Sequence, residues 1–190
     1  MGKYIAFLRA INVGGHNVKM VRLREIFESM GFSNVETFIA SGNVIFESRS
    51  KNVDKLVEKI ENGLLEVLGF EVATFIRSDT DLAGISDHKP FPKPQMDSAT
   101  ALNVAFLSEP LKAKSKKLVM ALKSDIDDFH IHGREIYWLC LKKQSDSKFS
   151  NSVLEKTLGV KSTLRGLNTV KKMADKYTTQ LIKGQLKHES

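Results

Sequence analysis

Two polar segments in the first fifty residues combine side chains and glycines that suit an anion-binding site. One follows a strand-like run, contains a glycine pair and leads into a helical pattern, and the other is a Ser-Gly-Asn turn between strand-like runs. Free N–H groups at a helix N-terminus attract negative charge, glycines let the backbone approach a ligand, and cationic side chains add charge-assisted hydrogen bonds. The residues predicted to bind a small anionic or phosphate-bearing ligand are Arg9, Asn12, Gly14, Gly15, Lys19, Ser41, Gly42 and Asn43.

The same residues also have structural and catalytic interpretations, which stay open. The glycine pair matches neither the Walker A spacing nor a dinucleotide-binding fingerprint, so it can simply serve a tight loop. Ser41 and His16 could form a nucleophile–base pair, but no residue is predicted to orient the histidine and no Gly-x-Ser-x-Gly sequence is present. No catalytic residue is therefore assigned, and an enzyme acting on a phosphorylated substrate is kept as an alternative.

A second candidate anion site lies at the start of the last predicted helix, around Arg165, Asn168 and Thr169. Helix N-terminal N–H groups and the guanidinium would supply the donors. Asn and Thr are also common helix caps, so a capping role is the alternative.

The excess of positive charge lies in the C-terminal half of the chain. Of the net charge of +7, residues 1–100 contribute −1 and residues 161–190 contribute +5. This asymmetry makes a nucleic-acid-binding module the alternative function. The absence of a dense basic block favours a solvated lysine-rich surface instead. Phe7 and Phe46 lie on predicted strands and could stack bases, but the RNP1 pattern of RNA-recognition domains is absent.

Two patterns resemble metal sites, but neither leads to a predicted metal or cofactor. His130 and His132 place two imidazoles on one strand face, and no third ligand is evident because the other histidines lie in other segments. Three aspartates, Asp125, Asp127 and Asp128, are interpreted as an aspartate-rich turn rather than a Mg²⁺ site.

The 190 residues leave room for one large domain or two small ones. A hydrophobic content of 42% and a charged content of 27% are ordinary for a soluble globular chain, and no apolar run is long enough to cross a bilayer. We therefore predict no membrane partner. The single cysteine, Cys140, cannot form an internal disulfide, and Arg9 interrupts the N-terminal apolar stretch too early for a signal peptide. These features predict a cytoplasmic location.

Hydrophobic periodicity predicts the same order of elements twice, β-α-β-β-α-β. The first set is an alternating strand over 3–9, a helix over 20–30, strands over 35–39 and 44–46 joined by a two-residue Gly-Asn turn, a helix over 53–68 and a strand over 72–76. The second set is a strand over 102–107, a helix over 111–123, strands over 129–132 and 136–141, a helix over 153–158 and a strand over 162–165. A last helix, capped by Asn168 or Thr169, places Val170, Met173, Ala174, Tyr177 and Leu181 on one side.

We therefore predict an α+β fold of two tandem ferredoxin-like (βαββαβ) subdomains with antiparallel sheets, plus a C-terminal helix. The subdomains are predicted over 1–78 and 100–190. Residues 79–99 are predicted to form a Pro-rich linker that allows a short helical turn over 80–85. Phe91 is predicted to pack, and Lys89–Pro94 to sustain no helix or central strand. In this topology the loop after the first strand and the first hairpin lie at the same sheet edge, which brings the two polar segments together.

Three runs of sequence resemble the bacterial domain-of-unknown-function family 1697. That family opens with "LLRGINVGG", carries a "SGNVVF" hairpin and has a C-terminal "TxRNWNTV" signature. The matching runs are Tyr4–Gly15 followed by Lys19-Met20, Ser41–Phe46 and Thr163–Val170.

The chain departs from the family pattern at two places. Ala10 replaces a glycine, and Gly166 and Leu167 replace an Asn-Trp pair. The resemblance spans essentially the whole chain and implies an intracellular bacterial α+β protein with no established activity.

Overall fold

The chain folds into two units, each built around one four-stranded antiparallel sheet. The structure, a computed structural model, describes residues 1–12, 14–39 and 42–178. Of these, residues 1–83, 177 and 178 belong to the first unit and residues 84–176 to the second. Both units have the element order β-α-β-β-α-β, which confirms the predicted α+β fold of two tandem ferredoxin-like subdomains with a C-terminal helix.

The elements of the first unit follow the predicted order, with boundaries that differ by a few residues. They are β1 (Gly2–Leu8), α1 (Met20–Ser29), β2 (Ser33–Thr37), β3 (Asn43–Ser48), α2 (Val53–Leu68) and β4 (Thr74–Ser78). The sheet order β2-β3-β1-β4 places β1 between two antiparallel neighbours. β1 is therefore hydrogen-bonded along both of its sides.

Helices α1 and α2 pack their apolar stripes into one core with the sheet of the first unit. The rings of Phe27, Phe32 and Phe46 pack at the centre of this core, with centroids 4.6–5.9 Å apart. The side chain of Asn52 caps the start of α2, and Gly69 ends the helix with a φ of 77°. The fully or nearly fully buried helix residues are Leu23, Ile26 and Phe27 in α1 and Leu56, Ile60 and Leu64 in α2.

The second unit repeats this arrangement after α3 (Asp79–Asp87), which follows β4 directly. Its sheet order, β6-β7-β5-β8, corresponds strand for strand to that of the first unit. The remaining elements are α4 (Lys93–Ser98), β5 (Ala101–Phe106), α5 (Ala113–Met120), β6 (Asp127–His132), β7 (Glu135–Cys140), a 3₁₀ helix (Gln144–Asp146), α6 (Asn151–Leu158), β8 (Thr163–Gly166) and α7 (Leu167–Tyr177).

The last helix, α7, begins at Leu167, so Asn168 and Thr169 lie in its first turn rather than at the predicted cap. The residues predicted on its apolar side are buried as far as Tyr177, and Leu181 lies outside the described residues. No helix among the described residues is both long enough and apolar enough to cross a membrane.

The Pro-rich segment contains a short helix where the sequence pattern allowed a helical turn over 80–85, and a second helix that begins at Lys93, inside the stretch Lys89–Pro94 for which no helix was predicted. α3 and α4 both fall within residues 79–99, and α4 includes Pro94 in its first turn. A proline is tolerated there because the N–H groups of the first turn have no partner within the helix. Phe91 is buried, as expected of a packing residue.

Most of β1 and all of β7 are buried on both faces, whereas the sequence predicted alternation in the first strand. All residues from Tyr4 to Leu8 are buried, as are all residues of β7. Continuous burial accounts for strands that are apolar throughout rather than at every second residue.

Asp127 is a buried carboxylate that connects three segments of the second unit. It accepts hydrogen bonds from the Trp138 indole N–H at 2.8 Å, the Ser124 hydroxyl at 2.9 Å and the Ser147 hydroxyl at 2.8 Å. These donors compensate for the removal of the carboxylate from water.

We expect Asp127→Ala to lower the free energy of unfolding by about 2–4 kcal/mol, because the buried Trp138 N–H and two hydroxyls would lose their acceptor. Urea unfolding followed by the fluorescence of Trp138, the only tryptophan in the chain, measures this change. Asp125→Ala is the control, since this neighbouring carboxylate is exposed and its removal should change stability by less than about 0.5 kcal/mol. Equal losses in the two variants would contradict the structural role of Asp127.

Candidate functional site

The loop after β1 and the β2–β3 connection share one edge of the first sheet, as the predicted topology requires. The Leu8 N–H donates to the Gly42 carbonyl at 2.8 Å, and the Arg9 N–H donates to the Ala73 carbonyl at 2.9 Å. A Cβ atom added to Gly42 would lie 2.7 Å from Ile11 Cγ2, so the two segments are in contact. The described residues here, 9–12, 14–19, 38, 39 and 42, are called the glycine edge below.

The β2–β3 connection is longer than the predicted two-residue Gly-Asn turn, because Asn43 already belongs to β3. Its backbone carbonyl accepts from the Phe38 N–H at 3.0 Å, and its side-chain amide donates to the Phe38 carbonyl at 2.9 Å. Asn43 is fully buried, so its amide closes the loop. Ser41, also predicted to contact a ligand, lies outside the described residues.

The glycine pair is required by the backbone conformation of the loop after β1. Gly14 and Gly15 have φ values of 69° and 88°, in the left-handed region that favours glycine. Both are exposed, and a Cβ atom at either position would meet nothing within 4 Å. Asn12 accepts a hydrogen bond from the Val18 N–H at 2.8 Å, which spans the base of the loop. The loop therefore presents open backbone beside the glycines.

The N-termini of α1 and α2 differ in charge and in capping. Lys19 is the exposed N-cap of α1, it makes no side-chain capping hydrogen bond, and the first turn of α1 has no acidic residue. At α2, Asn52 Oδ1 accepts from the Lys55 N–H at 3.0 Å, and Asp54 lies in the first turn. The start of α1 thus combines a helix dipole with a cationic side chain, an arrangement that attracts anions.

The structure places His16 against Phe70, with ring centroids 3.7 Å apart and planes at 21°. A general base needs a partner that orients its ring toward the nucleophile. Here the imidazole is stacked on an aromatic ring, and the position of Ser41 is not described.

At the second candidate anion site, Arg165 is buried within its own strand rather than presented to solvent. Its guanidinium donates to Thr163 Oγ1 at 2.7 Å and to the Leu164 carbonyl at 2.8 Å. Burial lowers the pKa of Arg165 to about 10, so the group stays charged at neutral pH. Asn168 is exposed, and Thr169 is half-buried in the first turn of α7.

The aspartate cluster of the second unit is engaged in internal interactions, which supports its interpretation as a turn. Asp128 accepts from Gln95 Nε2 at 2.8 Å and pairs with Lys123 Nζ at 3.0 Å. Burial acts to raise the pKa of Asp128, but hydrogen bonds from Lys123 and Gln95 outweigh it and hold the pKa below its ordinary value. The same turn borders a cavity of about 490 Å³.

The structure brings a third imidazole to His130 and His132, which sequence reasoning missed. His88 follows α3, and its Nε2 lies 2.9 Å from His130 Nε2. Burial, reinforced by repulsion from the other two imidazoles, lowers the pKa of His88 to about 4, and burial likewise lowers the pKa of His130. No local pattern links His88 to a strand 42 residues away, so the sequence alone carried no signal for this contact.

Two features suggested nucleic-acid binding, the aromatic rings on the first sheet and the basic C-terminal half, and the fold removes the first of them. Phe7 and Phe46 are fully buried, so neither ring can stack a base. The exposed basic residues described after position 160 are Lys161, Lys171, Lys172 and Lys176, while Lys183 and Lys187 lie outside the described residues.

Comparison with known proteins gives a family and a fold. The sequence profile of a family described as "Protein of unknown function (DUF1697)" matches residues 1–137. The solved structure of a conserved bacterial protein, SP0830 from Streptococcus pneumoniae, is similar over 93% of this chain and 98% of that chain, with 25% sequence identity and a TM-score of 0.74. No curated protein matches the chain. Neither description names a ligand or a reaction.

We expect Gly42→Ala to lower the free energy of unfolding by about 2–4 kcal/mol, because the residue has a φ of 73° and its new Cβ would overlap Ile11. Gly14→Ala is a matched control with a φ of 69° and no atom near its Cβ, so it should cost only about 1–2 kcal/mol. Chemical denaturation of both variants measures the difference. Identical losses would show that the close contact between the two segments does not contribute.

Proposed function

The chain belongs to the DUF1697 family of proteins of unknown function. From the geometry of its first unit, we propose that it is a cytoplasmic protein that binds a small anionic or phosphate-bearing ligand at the glycine edge. The observation that carries this proposal is the uncapped N-terminus of α1, which follows an exposed loop with two glycines in the left-handed region. Backbone N–H groups there can approach an anion without obstruction from a Cβ atom.

The residues of the glycine edge divide between ligand contact and support. Lys19 is exposed and supplies positive charge, while Gly14 and Gly15 supply accessible backbone. Gly42 packs against Ile11 and therefore holds the loop in place. The predicted contact by Asn43 is replaced in this proposal by a supporting role, because its amide is buried on the Phe38 carbonyl.

The free energies of the individual interactions decide which groups must supply the affinity for the anion. A helix N-terminus contributes only about 0.3–1 kcal/mol at an exposed position. A charge-assisted hydrogen bond contributes about 1.5–3 kcal/mol, so cationic side chains must supply most of the affinity. We place this role on Lys19, which is exposed, and on Arg9, which is half-buried at the same sheet edge, rather than on the buried Arg165.

We expect inorganic phosphate and a sugar phosphate to shift the amide resonances of Gly14, Gly15 and Val21, which lie in the loop and the first turn of α1. Lys19→Ala should weaken this binding by about tenfold or more, since one charge-assisted hydrogen bond is lost. Titrations followed by ¹⁵N–¹H correlation spectra give both the position and the affinity. Arg9→Ala tests the second cation in the same way.

Lys55→Ala provides the matched control for Lys19→Ala. Lys55 is an exposed lysine in the first turn of a helix in the same unit, but that helix has its own cap and an acidic residue. Its removal should leave the phosphate titration unchanged. Resonances of the glycine edge that do not move with either probe, or move equally in all variants, would refute the proposed site.

A further inference from the structure

A cluster of three histidines in the second unit has the composition of a transition-metal site. We propose that His88, His130 and His132 together bind a divalent transition-metal ion of the Zn²⁺ type. One ring nitrogen from each of the three lies within 4.8 Å of the other two. His88 and His130 are half-buried and His132 is exposed, so the cluster is held by the fold on one side and reachable from solvent on the other.

Two rigid elements position these side chains. His130 and His132 are two residues apart on β6, so their side chains project from the same face of the strand. His88 continues the hydrogen bonding of α3, since its N–H donates to the Gly84 carbonyl at 3.0 Å. The end of α3 is in turn fixed to the sheet, because the Tyr137 hydroxyl donates to the Ile85 carbonyl at 3.2 Å. The site is therefore built on a strand and a helix end rather than on a loose loop.

The contacts among the rings show that lone pairs are available. The Nε2 atoms of His88 and His130 are 2.9 Å apart, a distance at which at least one of the two must be an unprotonated acceptor. The rings of His88 and His132 are stacked with centroids 4.2 Å apart, which disfavours two positive charges. Neutral imidazole is the form that binds metals.

The ligand set selects the class of metal. Imidazole nitrogens suit Zn²⁺, Cu²⁺ and Ni²⁺, whereas Mg²⁺ and Ca²⁺ require oxygen ligands, and the cluster contains no carboxylate. Zinc–nitrogen distances of about 2.0–2.1 Å in a tetrahedral site imply nitrogen atoms about 3.3 Å apart. This value lies between the 2.9 Å that separates the Nε2 atoms of His88 and His130 and the 4.8 Å within which one nitrogen from each of the three rings lies. Three protein ligands leave the fourth position open to water or an exchangeable ligand.

Titration of the full-length, metal-free protein with Zn²⁺, followed by calorimetry, tests the proposal. We expect one ion to bind per chain and to raise Tm, since it binds the folded cluster. His132→Ala, at an exposed position, should weaken binding by at least about tenfold without lowering the Tm of the metal-free protein, and His88→Ala should weaken it similarly. Because His132→Ala alters an exposed side chain, it keeps the test valid even where His88→Ala impairs folding.

His16→Ala is the matched control, because it removes an imidazole from the first unit and should leave the Zn²⁺ affinity unchanged. Co²⁺ in place of Zn²⁺ adds a visible spectrum that reports nitrogen ligation. The proposal is overturned if the native chain binds no Zn²⁺, or if His132→Ala and His88→Ala bind it as tightly as the native chain. It is also overturned by a thiolate-to-cobalt charge-transfer band, which would place the metal on Cys140.

Discussion

The double-sided pairing of β1 determines where the glycine edge lies. Hydrogen bonding to the neighbouring chain segments continues through Leu8 and Arg9, so the chain can leave the sheet only beyond them, at Ala10 with a φ of 55°. The second unit has a hydrogen bond equivalent to the one between Leu8 and Gly42. The Leu107 N–H, just past β5, donates to the Arg134 carbonyl of the β6–β7 hairpin at 3.0 Å. Buried backbone N–H and C=O groups need hydrogen-bond partners. The position of this edge is therefore a consequence of main-chain pairing and not of particular side chains.

The order of the elements is predictable because its signals are local. Asn52 and Gly69 delimit α2, and Ser150 and Gly159 delimit α6, by capping rules that need no knowledge of the tertiary fold. The βαββαβ order then fixes which loops share an edge. The prediction of an alternating first strand was wrong, although the unbroken apolar run Tyr4–Leu8 is a local signal typical of a strand that is covered on both faces.

Partnerships between distant side chains are not predictable in this way. An asparagine after a turn glycine has the same local pattern whether it binds a ligand or, like Asn43, donates to a nearby carbonyl. His88 likewise follows a helix within a Pro-rich segment, and only the packing of α3 brings it to His130. Type and spacing alone indicate the residues of the predicted anion site, whereas the fold leaves some of them exposed, such as Lys19, and buries others, such as Asn43.

Some polar side chains of the second unit already have hydrogen-bond or ion-pair partners within the fold. This explains why the metal site that we propose uses imidazoles rather than carboxylates. Asp127 already accepts from an indole and two hydroxyls, and Asp128 is held by Gln95 and Lys123. A metal at either would have to displace those donors and leave them unpaired in a partly buried turn. The histidine cluster has the opposite character. The Nε2 atoms of His88 and His130 lie 2.9 Å apart, so the metal binding that we propose would replace at most one hydrogen bond between them with coordination by lone pairs. Among the described residues, the preference for a nitrogen-binding metal that we propose therefore follows from which polar groups already have partners in the fold.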